Sequence, residues 1–385
     1  MGALFPVGAC LALCGLDIVG FWPIKWERSQ NFVGTLPPWC ARRKARVART
    51  LEQIAELSGV SRSTVSRVVN NDPRVSEATR EHVRDVVRRE GYRPNLAARG
   101  LASGTTNVIA AVMPGAVDNI LSDPFFVSLL HGLAVAADER DHFVMLSLGD
   151  TSFRHTVDEI ARQGVVAGIV FVAGQVDDPL LDPLLASQTP MVSIGRSDDD
   201  RVSYVDVDNR GSAQQITSHL LRLGHRRVAT IAGPSFAPAG ADRLAGYRTA
   251  IEAFGLRVDD TLIYESDFSE SGGRDGARAL LEHRPDAVFA ASDRMAAGAL
   301  NEIRAAGLRI PDDIALAGFD DMPLAAEMEP PLTTVRQRPE KLGEAAVSLL
   351  LDMIAAPASS PKRTILPTDL IVRASCGSRQ DQKER

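Results

Sequence analysis

One short segment constrains the fold of this chain more than any other. Residues 50–70 read TLEQIAELSGVSRSTVSRVVN. Apolar residues at helical spacing predict a first helix with one apolar stripe, formed by Leu51, Ile54, Ala55 and Leu57. Gly59 suits the left-handed conformation that ends a helix, and Ser61 is a suitable N-cap for the next one. The segment therefore predicts two helices joined by a tight turn.

The second helix of this segment has two different faces. Val65, Val68 and Val69 are expected to be buried, whereas the other face carries short polar or basic side chains, namely Arg62, Ser63, Ser66, Arg67 and Asn70. An arginine can donate two hydrogen bonds to guanine O6 and N7, and hydroxyl or amide groups can bond phosphates. The pattern therefore fits a helix-turn-helix that reads DNA, and the alternative is an ordinary helical hairpin with a polar exterior.

A third helix completes a small head. Ser76 can cap it, its predicted buried face consists of Val83, Val86 and Val87, and Gly91 can end it. Tyr92 is expected to close the core. We place the DNA-binding domain at residues 47–92.

Charge separates this head from the rest of the chain. The 385 residues carry a net charge of −6, but residues 42–99 contain 14 Lys+Arg and 7 Asp+Glu, which leaves 29 basic and 42 acidic residues elsewhere. A basic segment on an acidic body indicates that one part meets a polyanion. A solvated surface of charged helices is the alternative.

Residues 93–106 predict a hinge helix and linker. Pro94 suits the first turn of a helix, but the segment is too short to be a stable helix alone and Gly100 weakens it further. Leu101 is suited to wedge between base steps in the minor groove, with Arg99 beside it. A plain linker is the alternative.

Residues 107–378 alternate short apolar runs with helical patterns. Apolar runs at 108–113, 143–148, 168–172, 228–231, 287–290 and 314–318 predict strands. Helices are predicted at 125–137, 212–223, 243–254, 274–282 and 295–306. Continuous apolar strands between helices predict parallel sheets covered on both faces, and ligands of such sheets bind at the carboxyl ends of the strands.

The two ends of the chain belong to neither the head nor the body. The apolar run 3–24 is interrupted by Pro6 and Asp17 and follows no basic residue, so it is a poor signal peptide and a poor membrane span. Residues 1–46 are either a non-native extension upstream of a true start near Val47 or a membrane anchor. Residues 379–385 are predicted to be a disordered tail. The four cysteines form no disulfide or zinc pattern, which favours a cytoplasmic protein.

From residue 50 to 377 the chain resembles the lactose-repressor (LacI/GalR) family. The head carries Gly59-Val-Ser and Thr64-Val-Ser-Arg-Val-Val-Asn70, and the hinge carries Pro94-Asn, Ala98-Arg99 and Leu101. The body motifs are Asp123-Pro-Phe-Phe126, Val207-Asp-Asn209, Leu223-Gly-His-Arg226, Ser292-Asp293, Gly318-Phe-Asp-Asp321 and Pro331-Leu-Thr-Thr-Val335. Their order and spacing together are more specific than any one of them.

The resemblance implies an all-α head with a hinge helix, followed by an α/β body of two Rossmann-like lobes of the periplasmic sugar-binding-protein type. It implies base reading by Arg62, Ser63 and Arg67, and minor-groove insertion of Leu101 with Arg99 beside it. Phosphate contacts are implied for Thr50, Ser61, Thr64, Ser66 and Asn70. It further implies a homodimer on a near-palindromic operator, and the absence of leucine heptads near the carboxyl terminus argues against a tetramer.

The resemblance also implies a small-molecule effector, a sugar or a derivative, between the lobes. Arg243, Asp320 and Phe268 match the family's ligand-binding arginine, its strand-end carboxylate and its stacking aromatic. Weaker candidates are Asp123, Phe125, Phe126, Arg196 and Ser292. Gly195 stands where relatives often have a polar contact residue, and residues 115–122 look longer and more irregular than usual.

Two other classes of protein are alternatives to a DNA-binding regulator. A sugar-binding sensor or transport protein shares the body, but it needs an export signal and should lack the head. A nucleotide-dependent enzyme should show a glycine-rich G-x-G-x-x-G or P-loop motif, and neither these nor G-x-S-x-G or H-E-x-x-H occurs where it is needed. We expect no catalysis, no cofactor, no metal and no membrane.

Overall fold

The computed structural model describes residues 49–69, 72–92, 106–115, 117–149, 160, 164–172, 175, 178–356 and 360–377. The chain divides into two compact units between residues 94 and 95. The predicted leader, the hinge with Arg99 and Leu101, Asn70 and the carboxyl-terminal tail lie outside the described residues.

The described residues of the first unit form three helices, α1 (Leu51–Ser58), α2 (Arg62–Val69) and α3 (Glu77–Glu90). Thr50 caps α1 through a reciprocal capping box with Gln53, and Ser76 caps α3. Gly59 and Gly91 follow α1 and α3 in the left-handed conformation, with φ of 64° and 63°. The helices begin and end where the local sequence predicts, because caps and glycine stops act over a few residues.

A small core holds the three helices together. Ile54 and Ala55 of α1 pack against Val65 and Val68 of α2, Val83 and Val86 of α3, and Tyr92. The prediction for Leu57 is wrong, because its side chain is 44% exposed. Ser58 is buried instead, and its hydroxyl donates to the carbonyl of Ile54 at 2.6 Å. Residues 51, 54, 55 and 58 share one face of α1, and residue 57 does not.

The second unit begins with a six-stranded parallel sheet, which we call the first lobe. In spatial order its strands are β11 (Arg363–Leu366), β5 (Ser203–Val207), β4 (Met191–Ile194), β3 (Gly168–Val172), β1 (Val108–Pro114) and β2 (Phe143–Gly149). Helices α4 (Val117–Ser122), α5 (Pro124–Asp138), α6 (Leu181–Ala186) and α12 (Pro339–Ala355) belong to this lobe. Apolar cores lie on both faces of the sheet, as a parallel sheet requires.

A four-stranded parallel sheet forms the second lobe. In spatial order its strands are β7 (Ile263–Glu265), β6 (Val228–Ala232), β8 (Ala287–Ala290) and β9 (Ala315–Ala317). Its helices are α7 (Asn209–Arg222), α8 (Pro238–Ala253), α9 (Glu270–Leu281), α10 (Asp293–Ala305) and α11 (Pro323–Glu327).

The chain passes between the lobes three times. It leaves the first lobe after β5, returns to it between β10 (Thr334–Arg336) and α12, and leaves again between β11 and β12 (Asp369–Ile371). Strands β10 and β12 pair antiparallel, with Val335 opposite Leu370. The expected fold class, an all-α head with a two-lobed α/β body of parallel sheets, is confirmed.

Two local expectations are corrected. Residues 117–122 form the helix α4 rather than an irregular segment. The crossover helices begin one to five residues before the predicted starts, because each begins at a proline or directly after a capping residue upstream of its apolar stripe. Asp208 caps α7, and Pro238 is the first residue of α8. Among the described residues, no helix has both the length and the apolar character to cross a bilayer.

Candidate functional site

Helix α2 presents the residues proposed to read bases. Arg62, Ser63 and Arg67 are exposed, while Val65 and Val68 of the same helix are buried. The guanidinium of Arg62 forms an ion pair with Glu52 of α1, with 2.8 Å between Nε and Oε1. Such a pair leaves the two terminal nitrogens of the guanidinium for another acceptor. The polar face of α2 is therefore available to an edge of a base pair.

Two of the hydroxyl groups proposed to contact phosphates also cap the amino termini of helices. Thr50 accepts a hydrogen bond from the backbone N–H of Gln53, and Ser61 accepts one from the N–H of Thr64 at 3.2 Å. The hydroxyl of Ser61 also lies 2.8 Å from that of Ser63 and 2.9 Å from that of Thr64. Helix amino termini attract phosphate, so these groups are placed where a DNA backbone can dock. Ser66 is half-buried on the same helix.

In the second unit, the structure brings Arg243 and Asp320 into contact. Arg243 lies on α8 and Asp320 follows β9, at the carboxyl edge of the second sheet. Arg243 Nη1 lies 3.4 Å from Asp320 Oδ1, and both residues are buried, at 5% and 8% exposure. A guanidinium and a carboxylate side by side offer both donors and acceptors to a polyhydroxylated ligand.

Arg243 is held on several sides. Its Nε donates to Asn209 Oδ1 at 2.9 Å, and its Nη1 donates to the carbonyl of Ala291 at 2.6 Å. The guanidinium carbon lies 3.7 Å from the centre of the Phe319 ring. Burial lowers the pKa of Arg243, but the neighbouring carboxylates of Asp320 and Asp206 favour its charged form. These contacts fix the direction in which the guanidinium points.

Asp320 occupies a strained backbone position, with φ of 114°. Its N–H donates to the carbonyl of Val335 at 2.7 Å, and its Oδ1 accepts from Gln337 Nε2 at 2.5 Å. Burial raises the pKa of Asp320 to about 6, and Arg243 opposes that rise. The carboxyl group is therefore held by Arg243 and by Gln337, which lies on the second connection between the lobes.

Phe268 lies near this pair. Its ring centre is 5.9 Å from the guanidinium carbon of Arg243, and its backbone has φ of 65°. A Cβ added to Gly233 would lie 2.2 Å from the Phe268 ring, so the absence of a side chain at residue 233 makes room for the ring. An aromatic face beside a paired arginine and carboxylate suits the apolar face of a sugar ring.

Ser292 and Asp293 support the same region. Ser292 is buried and caps α10, where its Oγ accepts from the N–H of Met295 at 3.2 Å. Asp293 is completely buried, accepts from the Thr334 hydroxyl at 2.6 Å and from the N–H of Met322 at 2.8 Å. Burial raises the pKa of Asp293 well above its usual range. Asp293 therefore joins α10 to β10 and to the segment after Asp320.

The first lobe contributes Asp123, Phe125 and Phe126. Asp123 caps α5 by accepting from the N–H of Phe125 at 2.9 Å, and its Oδ2 lies 3.9 Å from Arg294 Nη1 of the second lobe. Burial raises the pKa of Asp123. The two phenylalanine rings meet edge to face with centres 5.4 Å apart, and both pack against the core of the first lobe. Both rings therefore have a packing role in addition to the proposed contact role.

Arg196 links the two lobes directly. Its Nε lies 2.9 Å from Asp242 Oδ2, and it also forms an ion pair with Asp198. The N–H of Arg196 donates to Asp206 Oδ2 at 2.8 Å, and Asp206 Oδ1 accepts from Asn209 Nδ2 at 3.0 Å. Because Asn209 in turn holds Arg243, a continuous set of hydrogen bonds joins Arg196 to Arg243.

Several residues of this site were missed by sequence reasoning. Asn209, Phe319 and Gln337 contact Arg243 or Asp320 but were not singled out, although two of them belong to the motifs Val207-Asp-Asn209 and Gly318-Phe-Asp-Asp321. Glu52 carried no sequence signal beyond its charge. No group of three or more His, Cys, Asp or Glu side chains in the described part of the chain is arranged to hold a metal ion.

Comparisons with known proteins match segments of both units of the chain. The model for "Bacterial regulatory proteins, lacI family" matches residues 50–95, and that for "Periplasmic binding protein-like domain" matches residues 217–376. The HTH-type transcriptional regulator CelR of Thermobifida fusca is 41% identical over 333 residues, which cover 85% of this chain and 98% of CelR. The chain belongs to the LacI family.

Solved structures show the same relationship. One solved structure is a complex of the transcriptional regulator CelR with cellobiose. Its chain is 39% identical in sequence, with a TM-score of 0.68, and the alignment covers 85% of this chain and 99% of that one. Another is a lac repressor dimer bound to operator and the anti-inducer ONPF. Its chain is 27% identical in sequence, with a TM-score of 0.78, and the alignment covers 86% of this chain and 99% of that one. This LacI-family protein is thus a DNA-binding transcriptional regulator and not an enzyme.

Proposed function

We propose that this LacI-family regulator is a repressor that binds a near-palindromic operator as a homodimer in the cytoplasm and is controlled by a neutral sugar bound between its lobes. The contact between Arg243 and Asp320 carries the proposal. The pair is buried at the carboxyl edge of a parallel sheet, where ligands of such sheets bind, and Phe268 supplies an aromatic face beside it.

The class of sugar follows from this chemistry and from the CelR relative. Paired donors and acceptors with an aromatic face suit a sugar with several hydroxyl groups. The related CelR structure is a complex with cellobiose. Cellobiose is therefore the first compound to test, with Arg243 and Asp320 bonding its hydroxyls and Phe268 stacking on a ring. Asp123, Phe125, Phe126, Arg196 and Ser292 would shape the rest of the cleft.

Helix α2 would enter the major groove. Arg62, Ser63 and Arg67 would read bases, because all three are exposed on one helix and arginine recognises guanine through two donors. Backbone contacts would come from Thr50, Ser61, Thr64, Ser66 and Asn70, and the hinge would place Arg99 and Leu101 in the minor groove.

An exposed apolar surface on the first lobe supports a homodimer. Strand β2 is an edge of the six-stranded sheet, and its Phe143 and Leu146 are 55% and 41% exposed. Val127 and Val135 of the neighbouring helix α5 are 51% and 38% exposed. An unpaired edge strand with apolar side chains is a site for association, and a second copy of this chain would cover it.

Control of DNA binding would be a linkage between two sites. Two heads must lie at a fixed separation to meet two half-sites. A sugar that changes how the lobes meet would change how the two copies pair, so sugar and operator affinities would affect each other reciprocally.

Isothermal titration of the full chain with cellobiose tests the proposal. Asp320→Asn should weaken cellobiose binding by about tenfold or more, since a charge-assisted hydrogen bond is lost. Asp312→Asn, in an exposed ion pair with Arg309, is the matched control and should bind as the unmodified protein does. Equal binding by Asp320→Asn would overturn the assignment of the cleft.

A further inference from the structure

One arginine of the third helix is largely buried. The side chain of Arg80 is 11% exposed, whereas those of Arg88 and Arg89 on the same helix are 76% and 67% exposed. Arg80 pairs with Glu77, but Glu77 is 71% exposed, and an ion pair with so exposed a partner adds little to stability. Because a guanidinium keeps its charge in proteins, its buried donors need acceptors within the head.

Main-chain carbonyls supply these acceptors. Arg80 Nη2 donates to the carbonyl of Asp72 at 2.9 Å and to that of Val75 at 3.2 Å. Both carbonyls belong to the segment between α2 and α3. A hydrogen bond from a charged donor is stronger than one between neutral groups, so Arg80 restrains the backbone of this segment.

Asp72 connects this restraint to helix α2. The N–H of Asp72 donates to the carbonyl of Arg67 at 2.9 Å, and Arg67 lies in the last turn of α2. Two consecutive hydrogen bonds, from Arg80 to Asp72 and from Asp72 to Arg67, therefore join α3 to the carboxyl end of α2.

The side chain of Asp72 adds a further restraint. Its Oδ1 accepts from the backbone N–H of Arg74 at 2.9 Å, and its Oδ2 accepts from Arg74 Nη2 at 2.7 Å. These bonds to Arg74 lower the pKa of the Asp72 carboxyl group. Asp72 is thus held by its side chain, by its N–H and by its carbonyl, so it transmits a restraint from α3 to α2.

Helix α3 also bonds the carboxyl end of α1. His82 Nε2 lies 3.1 Å from the carbonyl of Ser58, the last residue of α1. A carbonyl only accepts hydrogen bonds, so Nε2 carries the proton in this contact. Helix α3 therefore contacts α1 directly and α2 through Asp72, which sets the angle between the two helices of the helix-turn-helix.

We infer that Arg80 is a positioning residue for base reading, which acts on Arg67 through Asp72 and does not itself contact DNA. A side chain reads a base edge only when its donors are held within about 0.5 Å of the bonding geometry. A shift at the carboxyl end of α2 would move the Arg67 guanidinium away from its guanine. This role rests on the proposed base reading by Arg67, which it deepens.

Binding of the full chain to an operator selected from random duplexes, and to single-base variants of that operator, tests this role. The position that Arg67 reads is the one at which Arg67→Ala loses base preference. Arg80→Met removes the donors and keeps most of the apolar stem. It should reduce the preference at that position about fivefold to tenfold, and change the preference elsewhere by less than about twofold.

A loss of stability alone would not produce this result. The preference is a ratio of two affinities measured on one preparation, so the fraction of folded heads cancels. Arg88→Met, at an exposed position of the same helix, is the matched control and should keep the preference of the unmodified chain.

A double variant tests whether Arg80 acts through Arg67. Arg67→Ala combined with Arg80→Met should show no loss of preference at this position beyond that of Arg67→Ala alone, because the two residues act in one chain of contacts. Losses that add would make Arg80 independent of Arg67 and would overturn the inference.

A second substitution covers the case in which Arg80→Met does not fold. Arg80→Gln keeps an amide donor on a shorter stem, which cannot reach both carbonyls, so the preference should fall about threefold. An unchanged preference in every folded variant of Arg80 would overturn the positioning role.

The remaining failures are distinct. An equal loss by Arg80→Met on the operator, its variants and an unrelated duplex would make Arg80 a phosphate contact and overturn its positioning role. A local loss in Arg67→Ala would then still support base reading by Arg67. If Arg67→Ala weakens all sequences equally, base reading by Arg67 and positioning by Arg80 both fail.

Discussion

Arg243 and Asp320 contact each other across 3.4 Å in the second unit, and each is held by residues that connect the lobes. Arg243 bonds Asn209 at the first crossing, and Asp320 bonds Gln337 at the second. A ligand that displaces or bridges this contact would act on two side chains, and each of them is hydrogen-bonded to a residue of a different crossing. The pair is thus placed to convert ligand binding into a change in how the lobes meet.

Ligand binding should depend on pH through Asp320. Burial raises the pKa of this carboxyl group to about 6, so it loses its negative charge as the pH falls below that value. At one pH unit below the pKa only about a tenth of the carboxylate remains, and the dissociation constant for the sugar should rise about tenfold between pH 7 and pH 5. Titrations at pH 7, 6 and 5 measure this.

Stability should respond to the same group in the opposite direction. An unfolded aspartate titrates near pH 3.9, so the folded protein binds this proton more tightly. The contribution of Asp320 to folding is then fully present below about pH 4 and is lost as the pH rises through about 6.

The variant Asp320→Asn is the control for the pH dependence of sugar binding. In Asp320→Asn the sugar affinity should not change with pH between 7 and 5. A similar pH dependence in that variant would assign the titration to another group.

Arg67 should set base preference rather than overall DNA affinity. Its side chain is exposed on α2 and has the donor geometry for guanine. Arg67→Ala should cost about 1–3 kcal/mol at one operator position and leave the other positions unchanged. Binding to a set of single-base operator variants measures it, with Arg88→Ala on α3 as the control. A uniform loss across all sequences would make Arg67 a phosphate contact.

Glu52 should position Arg62. The 2.8 Å ion pair holds the Nε edge of Arg62, which leaves its terminal nitrogens to face a base. Glu52→Gln should relax base preference at the position that Arg62 reads. The same change should raise affinity for unrelated DNA, because a negative charge near the phosphates is removed. Competition between operator and unrelated duplex measures both effects. Glu56→Gln on the same helix is the control, and equal behaviour of the two variants would contradict a positioning role.

The edge strand β2 should carry the dimer contact. Phe143→Ser and Leu146→Ser remove apolar surface from this edge, so the dimer should dissociate at concentrations where the unmodified chain stays paired. Sedimentation velocity reports the change. Ile365→Ser is the matched control, because Ile365 is 52% exposed on β11 at the opposite edge of the same sheet. Dissociation caused only by Ile365→Ser would move the interface to that edge.

The head could be predicted closely from the sequence because its signals are local. Thr50, Gly59, Ser76 and Gly91 act within one turn of the helices that they cap or end. The apolar character of Leu57 predicts that it lies on the buried stripe, whereas the geometry of α1 buries the polar residue Ser58. A serine can occupy that place because its hydroxyl is satisfied by a carbonyl of its own helix.

The body was less predictable because its contacts are distant in sequence. Strands β4 and β5 are short, and β5 contains the buried Asp206, so their pattern is weak. Strand β11 pairs with β5, which lies more than 150 residues earlier in the sequence. Strand β10 pairs with β12, and α12 lies between these two strands in the sequence. The sequence indicated Arg243 and Asp320 through family resemblance. The ring of Phe319 against Arg243 and the bond from Gln337 required the structure.

The most direct test measures operator affinity with and without the sugar. An operator selected from random duplexes by the full chain would carry a fluorescent label, and anisotropy would report binding with no sugar and with a saturating amount of the sugar that calorimetry identifies. The affinity should change by about tenfold or more, within the usual range for coupled sites, and Asp320→Asn should abolish that change while keeping operator binding. A sugar that binds the unmodified protein but leaves operator affinity unchanged would contradict the account.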